Sequence, residues 1–224
     1  MKNSFLLEDV FVELRCAFDS SNFQDQSHVS NGKKRISEYA NGIEKFFNFY
    51  KRYTNQYENV YILDNTLKDK SFLDQEILNK TPDGVNYIFS NQNTFGKINK
   101  GAGDIEGWNY VKEIFKKYKY IFHYEPRLIM DSPIFIESFL KNKDNTFLKH
   151  PSLDTQFQTG AFLIQSKDMI DYLNYRSAKS LSDNSICIEN DLCFFFKKFK
   201  KNKFTLVSNS GMFRHDAKTG YHKY

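Results

Sequence analysis

Two runs decide the fold: Val85-Asn86-Tyr87-Ile88-Phe89, and further along Tyr118-Lys119-Tyr120-Ile121-Phe122. Both are rich in β-branched and aromatic residues and read as strands. Between them Ile105, Trp108, Val111, Ile114 and Phe115 recur at helical spacing, which gives the intervening segment one apolar face. A strand, a covering helix and a second strand form the unit from which parallel sheets are built.

The same rhythm extends upstream. Val10-Phe11-Val12-Glu13-Leu14-Arg15-Cys16-Ala17-Phe18 reads as a first strand that empties into the polar stretch Asp19 to Asn31. From Lys34 to about Tyr53, Ile36, Tyr39, Ala40, Ile43, Phe46, Phe47 and Tyr50 mark a long amphipathic helix. Asn59 to Leu63 is a second strand halting at Asp64-Asn65-Thr66. Leu73, Ile77 and Leu78 then suggest a brief helix closed by the turn Thr81-Pro82-Asp83-Gly84. The expected class is α/β, a mostly parallel central sheet flanked by helices, whose ligands gather beyond the carboxyl ends of the strands. On that geometry Asp19, Asp64, Asn91 to Asn93 and His123 to Arg127 converge on one edge.

Downstream of Arg127 the rhythm changes. Leu128 to Leu140 reads as a helix with Pro133 in its first turn, and Lys141 to Phe157 as polar and irregular. Thr159 to Ile164 is a strand, Met169 to Tyr175 a helix and Ser177 to Ser185 a loop. Ile188 opens another helix, and Phe204 to Val207 is a last short strand.

Composition agrees with a packed chain. Of 224 residues 40% are hydrophobic and 17% aromatic, enough apolar surface to offset chain entropy and exclude a disordered tail. The 23 Phe and 14 Tyr fall mostly on apolar faces, so they are core before they are stacking platforms. A net charge of +5 is mild, and its lysines are interspersed with acids; no nucleic-acid partner is expected. Cys16, Cys187 and Cys193 are odd in number and lack metal-finger spacing, which fits a reducing compartment. The amino terminus lacks the apolar region of a signal peptide, and no run approaches the ~18 residues of a membrane span. The expected location is the cytoplasm, with at most peripheral membrane contact.

Four segments carry possible chemistry. Asn99-Lys100-Gly101-Ala102-Gly103 lies between a strand and a helix, where backbone N–H groups, the helix dipole and Lys100 can hold a phosphate. It is neither a P-loop nor a full Gly-x-Gly-x-x-Gly, and glycines that merely make a turn account for it nearly as well. His123-Tyr124-Glu125-Pro126-Arg127 places an acid and a guanidinium at the ligand edge; they serve either a substrate or each other as an ion pair. Glu189 and Asp191 open an apolar helix, where one can cap the N-terminus and the other act as a general base. His215, between Arg214 and Asp216, supplies a phosphate or ligand contact or stands on a surface turn. No Gly-x-Ser-x-Gly and no His-Glu-x-x-His occurs.

The order of these motifs resembles the glycosyltransferases of GT-A fold, the nucleotide-diphospho-sugar transferases, of bacterial polysaccharide type. Val60 to Thr66 looks like that family's second strand ending in an acid that meets the nucleotide, here Asp64. Asn99 to Gly103 is similar to its Asn-x-Gly segment. Tyr118 to Glu125 occupies the place of the strand ending in Asp-x-Asp. Thr159-Gly160-Ala161-Phe162 resembles the acceptor-cleft strand, and Glu189-Asn190-Asp191-Leu192 resembles Glu-Asp-x-Asp-Leu, with Glu189 at the position of the base. The likeness spans about residues 9 to 209. Only His123-Tyr124-Glu125 stands where Asp-x-Asp is usual, and the first strand lacks the usual exit.

The resemblance implies one domain over 1–224, with a nucleotide-sugar-binding half at about 9–127 and an acceptor-binding, catalytic half at about 128–224. It implies transfer of a sugar from a nucleotide-sugar donor to a hydroxyl of a glycan or lipid-linked acceptor, inverting, with Glu189 and Asp191 catalytic. Asp64, Asn99, Lys100, Gly101, Arg127, Thr159, Gly160 and His215 are the implied substrate contacts. Glu125 either holds Mn²⁺ or Mg²⁺, or leaves Arg127 to neutralise the diphosphate without a metal. The remaining alternatives are a methyl- or nucleotidyltransferase, a catalytically altered relative and a binding module.

Overall fold

The computed structural model describes residues 9–24, 30, 32–201, 203–216 and 220–223, with 214–216 and 220–223 described by backbone alone. Among the described residues there are ten strands, β1 (Val10–Cys16), β2 (Val60–Asp64), β3 (Asn86–Phe89), β4 (Tyr120–Tyr124), β5 (Leu128–Met130), β6 (Asn145–Lys149), β7 (Phe157–Gln165), β8 (Phe204–Val207), β9 (Met212–Asp216) and β10 (Gly220–Lys223). Seven helices accompany them: α1 (Gly32–Tyr50), α2 (Gln75–Lys80), α3 (Lys100–Phe115), α4 (Ile134–Asn142), α5 (Ser166–Tyr175), α6 (Ala178–Asp183) and α7 (Ile188–Phe199).

Seven strands form one sheet in the order β3-β2-β1-β4-β7-β6-β8. All neighbours from β3 to β4 are parallel; β7 alone runs against its neighbours, and β6 and β8 are parallel to each other. The α/β class with a mostly parallel, helix-flanked sheet is therefore what the chain adopts. Strands from both halves of the sequence share this sheet, because β7 pairs with β4 over Tyr120 to Tyr124. A second sheet, β10-β9-β5, is antiparallel.

Burial on both faces explains why β1 reads as an almost continuous apolar run. Val10, Val12, Leu14 and Cys16 point into one core with α1, α2 and α4. Phe11 points the other way, into a second core built with α3, α5, α6 and α7. Glu13 and Arg15 share the Phe11 face by the two-residue period of a strand, and both are buried, at 0% and 6% exposed.

Several elements differ from the sequence expectation. The glycines after Asn99 are not in a loop: α3 begins at Lys100, and Asn99 is its N-cap, accepting from the Gly101 and Ala102 N–H groups at 3.0 and 3.3 Å. Leu128 to Met130 is a strand because β9 pairs with it, and α4 starts only after Pro133. Strand β6 lies within the stretch expected to be irregular, and α6 within the one expected to be a loop. Strand β4 runs on through His123 and Tyr124, which pair with β1 on one side and β7 on the other.

Candidate active site

A cavity of about 470 Å³ opens beyond the carboxyl ends of β1, β2 and β4. Its walls come from the β1 exit at Arg15 to Ala17, from Arg35 and Tyr39 on α1, and from the start of α3. The end of β4, Gln158 to Gly160 on β7, and Cys187 to Glu189 at the start of α7 complete it. Because β7 is antiparallel, its amino end meets the carboxyl ends of its neighbours, which brings Thr159 to the same rim as Arg127.

Arg15 organises the floor. Its guanidinium pairs with Asp104 at 2.9 Å and donates to the carbonyls of Cys16, Leu63 and Gly103 at 3.1, 3.4 and 3.0 Å, joining β1, β2 and α3. Burial alone would depress its pKa, but Asp104, Glu13 and Asp64 together hold it above the ordinary arginine range. Burial pushes the Asp104 carboxyl above its usual range, against the pull of Arg15 and His123.

Beside it His123 lines the cavity with Nδ1 committed to Glu13 Oε2 at 2.9 Å. The Trp108 indole N–H donates to that same oxygen at 3.0 Å, while Glu13 Oε1 is buried with no hydrogen-bond partner. The imidazole stacks on Phe162, with centroids 4.5 Å apart, and meets the edge of Trp108. Its orientation is thus fixed from three sides.

On the opposite wall Arg35 and Arg127 each lie 5.3 Å from the ring centroid of Tyr39. The Tyr39 hydroxyl accepts from the Ala17 N–H at 3.0 Å, and burial raises its pKa although both guanidiniums oppose this. Arg127 donates from Nε to Glu125 Oε1 at 2.8 Å and binds the same oxygen through Nη2. The ion pair anticipated as the bland alternative for this segment is therefore formed. It still leaves a guanidinium at the rim, and a guanidinium carries five N–H donors.

At the third wall Glu189 sits in the first turn of α7, where the helix dipole favours a carboxylate. Thr159 Oγ1 donates to its Oε1 at 3.2 Å, and the Cys187 thiol donates to its Oε2 at 2.7 Å. Burial, with Glu189 beside it, raises the Cys187 pKa and keeps the thiol a donor. Gly101 lets α3 reach this wall: a Cβ there would lie 2.6 Å from Ile188 Cβ, so any side chain would push α7 and Glu189 outward.

The expected contacts divide accordingly. Lys100, Gly101, Asn99, Arg127, Thr159, Gly160, Glu125 and Glu189 all line the cavity. Asp64 does not: fully buried, it accepts from the N–H groups of Phe18, Thr66 and Leu67 at 2.7 Å each and from the Thr66 hydroxyl. It ties the β1 and β2 exits together. The first-turn amides of Gly101 and Ala102 are spent on Asn99, so they are not open donors for a phosphate. His215 lies on β9, and its side chain is outside the described residues.

Asp191 also faces away. Arg176 clamps it with Nε and Nη2 at 2.9 and 2.5 Å, and the Tyr172 hydroxyl adds a bond of 2.9 Å, which locks α7 to α5. Asp191→Asn is expected to lower the melting temperature by several degrees, since a well-formed buried pair costs about 3 kcal/mol when one partner is removed. An unchanged melting temperature in this variant would mean that Asp191 does not lock α7 to α5.

Glu125 contributes the one carboxylate at the end of β4, and its Oε1 is taken by Arg127. Among the described residues no group of three or more His, Cys, Asp or Glu is gathered as a cation site.

Sequence reasoning passed over Glu13, Arg15, Arg35, Tyr39 and Asp104. Two charges at alternate positions of an otherwise apolar central strand were the available signal for the first two.

The site belongs to an α/β protein whose polar cavity lies at the carboxyl edge of its parallel strands. No protein-family profile and no curated protein matches the chain. Among solved structures it is similar to the CTP:phosphocholine cytidylyltransferase of Streptococcus pneumoniae. Identity is 12% over 92% of this chain and 93% of that one, with a TM-score of 0.45.

Proposed function

We propose that the protein is a glycosyltransferase of GT-A type that takes a sugar from a nucleotide-sugar donor and places it on a hydroxyl of a glycan or lipid-linked acceptor. One observation carries this reading: Glu189, oriented by Thr159, faces the same cavity as Arg127 and Lys100. A carboxylate on one wall and cationic groups on others suit a displacement in which one proton leaves the nucleophile as negative charge grows on the leaving group.

In that displacement the acceptor oxygen attacks the anomeric carbon, Glu189 takes its proton, and the bond to the nucleoside diphosphate breaks. Arg127 and Lys100 stabilise the charge on the departing diphosphate, and Arg35 extends the positive wall. Attack from the face opposite the leaving group inverts the anomeric centre. No step is assigned to a metal, because Glu125 serves Arg127.

The test is a panel of nucleotide sugars offered with candidate acceptors, following nucleoside diphosphate release and the product's anomeric configuration. Turnover in EDTA is expected to equal turnover with Mn²⁺. Retention of configuration would remove Glu189 as base. Release of pyrophosphate from a nucleoside triphosphate and a phosphorylated substrate would make the enzyme a nucleotidyltransferase instead.

A further inference from the structure

Helix α7 is apolar on more sides than the fold covers. Leu192, Cys193, Phe195 and Phe196 are buried in the core it shares with α3 and α5. Phe194 and Phe199 are 47% and 48% exposed on the outer side, where a surface helix ordinarily carries polar residues. Tyr175, at the end of α5, joins them with its ring 5.1 Å from that of Phe199. Lys197, on the same turn of the helix, donates from Nζ to the Asp154 carbonyl at 2.6 Å.

The surroundings are strongly basic. Lys197, Lys198, Lys200, Lys201 and Lys203 fall within seven residues. Among the described residues acids pair with Lys200 alone of these five, through Asp168 and Asp171. We propose that this end of α7 and the turn after it form a docking surface for an anionic lipid bilayer. Exposed rings enter the headgroup boundary while lysines meet the lipid phosphates, the combination that holds peripheral proteins at such interfaces.

Single-stranded nucleic acid is the other polyanion that aromatic and basic groups bind, and the details disfavour it. Base stacking needs open ring faces, yet Lys198 Nζ lies 5.1 and 5.4 Å from the centroids of Phe194 and Phe199. The docking surface is offset from Glu189: Phe194 and Phe199 lie five and ten residues further along the same helix, about 7.5 and 15 Å at 1.5 Å per residue. The proposal therefore stands independently of the reaction.

Co-sedimentation of the full chain with vesicles tests it. Vesicles of equal parts phosphatidylcholine and phosphatidylglycerol should pellet the protein, and phosphatidylcholine alone should not. Binding should weaken in high salt as charges are screened. Lys197→Glu with Lys198→Glu should reduce binding by at least about 25-fold, from roughly fivefold per lysine lost. Phe194→Ser with Phe199→Ser should also weaken it by roughly tenfold or more, with an unchanged circular dichroism spectrum.

A Phe194→Trp reporter should shift its emission to the blue on anionic vesicles, against the constant background of the fully buried Trp108. Failure of the wild type to pellet with anionic vesicles, or double variants that pellet as well as wild type, would overturn the assignment. So would tight binding of single-stranded RNA that Lys197→Glu with Lys198→Glu abolishes while vesicle binding survives.

Discussion

Glu189→Gln is expected to lower kcat by about 10²- to 10⁴-fold while leaving nucleoside diphosphate affinity within about twofold. The amide keeps the length of the side chain, and its oxygen can still accept from Thr159 Oγ1, so the wall should hold its shape. What disappears is the proton acceptor. Isothermal titration with the diphosphate, beside steady-state turnover of the donor, separates the two effects. An equal loss in both would mean that Glu189 holds the donor, and near-normal turnover would mean that another group takes the proton.

The prediction for Glu189 depended on features that lie along the chain, and others did not. Strands β1 to β4 and helices α1 and α3 were legible because their apolar spacing is local and long. Strand β6 was hidden by Asn145 and Thr146, polar residues buried by distant or turn partners: Asn145 donates to Asp168 at 2.7 Å and accepts from the Gln165 N–H at 2.7 Å. Strand β5 was read as helix because three apolar residues in a row carry no period, and its partner β9 lies far along the chain. Helix α6 has only Ala178 and Leu181 as buried apolar residues, although the Ser177 cap was a usable signal.

The candidate site divides in the same way. Lys100, Glu125, Arg127 and Glu189 could be placed at one edge because each follows or opens an element the sequence predicts, whereas Thr159 was implied by resemblance alone. The glycines after Asn99 suggested a phosphate loop, yet their geometry serves contact, Gly101 with Ile188 and Gly103 with Gly96. Whether a glycine is there for a ligand or for a neighbouring helix depends on what stands opposite, and composition cannot supply that. Glu13, His123 and Trp108 form one buried polar group from β1, β4 and α3, a contact across long sequence separation whose one local trace is a charge, Glu13, in an apolar strand.

Arg15→Met is expected to destabilise the protein by about 3 kcal/mol, or roughly 6 to 12 °C in melting temperature. Methionine restores much of the volume but none of the donors. Asp104 loses its partner, and the Gly103 carbonyl loses a bond of 3.0 Å. The lower end of the buried-pair range applies because Asp104 retains 27% side-chain exposure toward the cavity, where water can solvate it.

The loss should depend on pH in a definite direction. Asp104 already has a folded pKa above its ordinary value from burial, with Arg15 holding it down, so removing Arg15 raises it further. A carboxyl with a raised folded pKa binds its proton more tightly in the folded state, so its penalty grows as pH rises above the unfolded value and shrinks as pH falls. The difference between variant and wild type should therefore be smaller at about pH 5 than at about pH 8. Adding Asp104→Asn should recover part of the deficit at the higher pH, because the carboxylate bonded to the lost guanidinium is then neutral. A deficit of equal size at both pH values, with no recovery in the double variant, would locate the role of Arg15 in its three carbonyl bonds rather than in the ion pair.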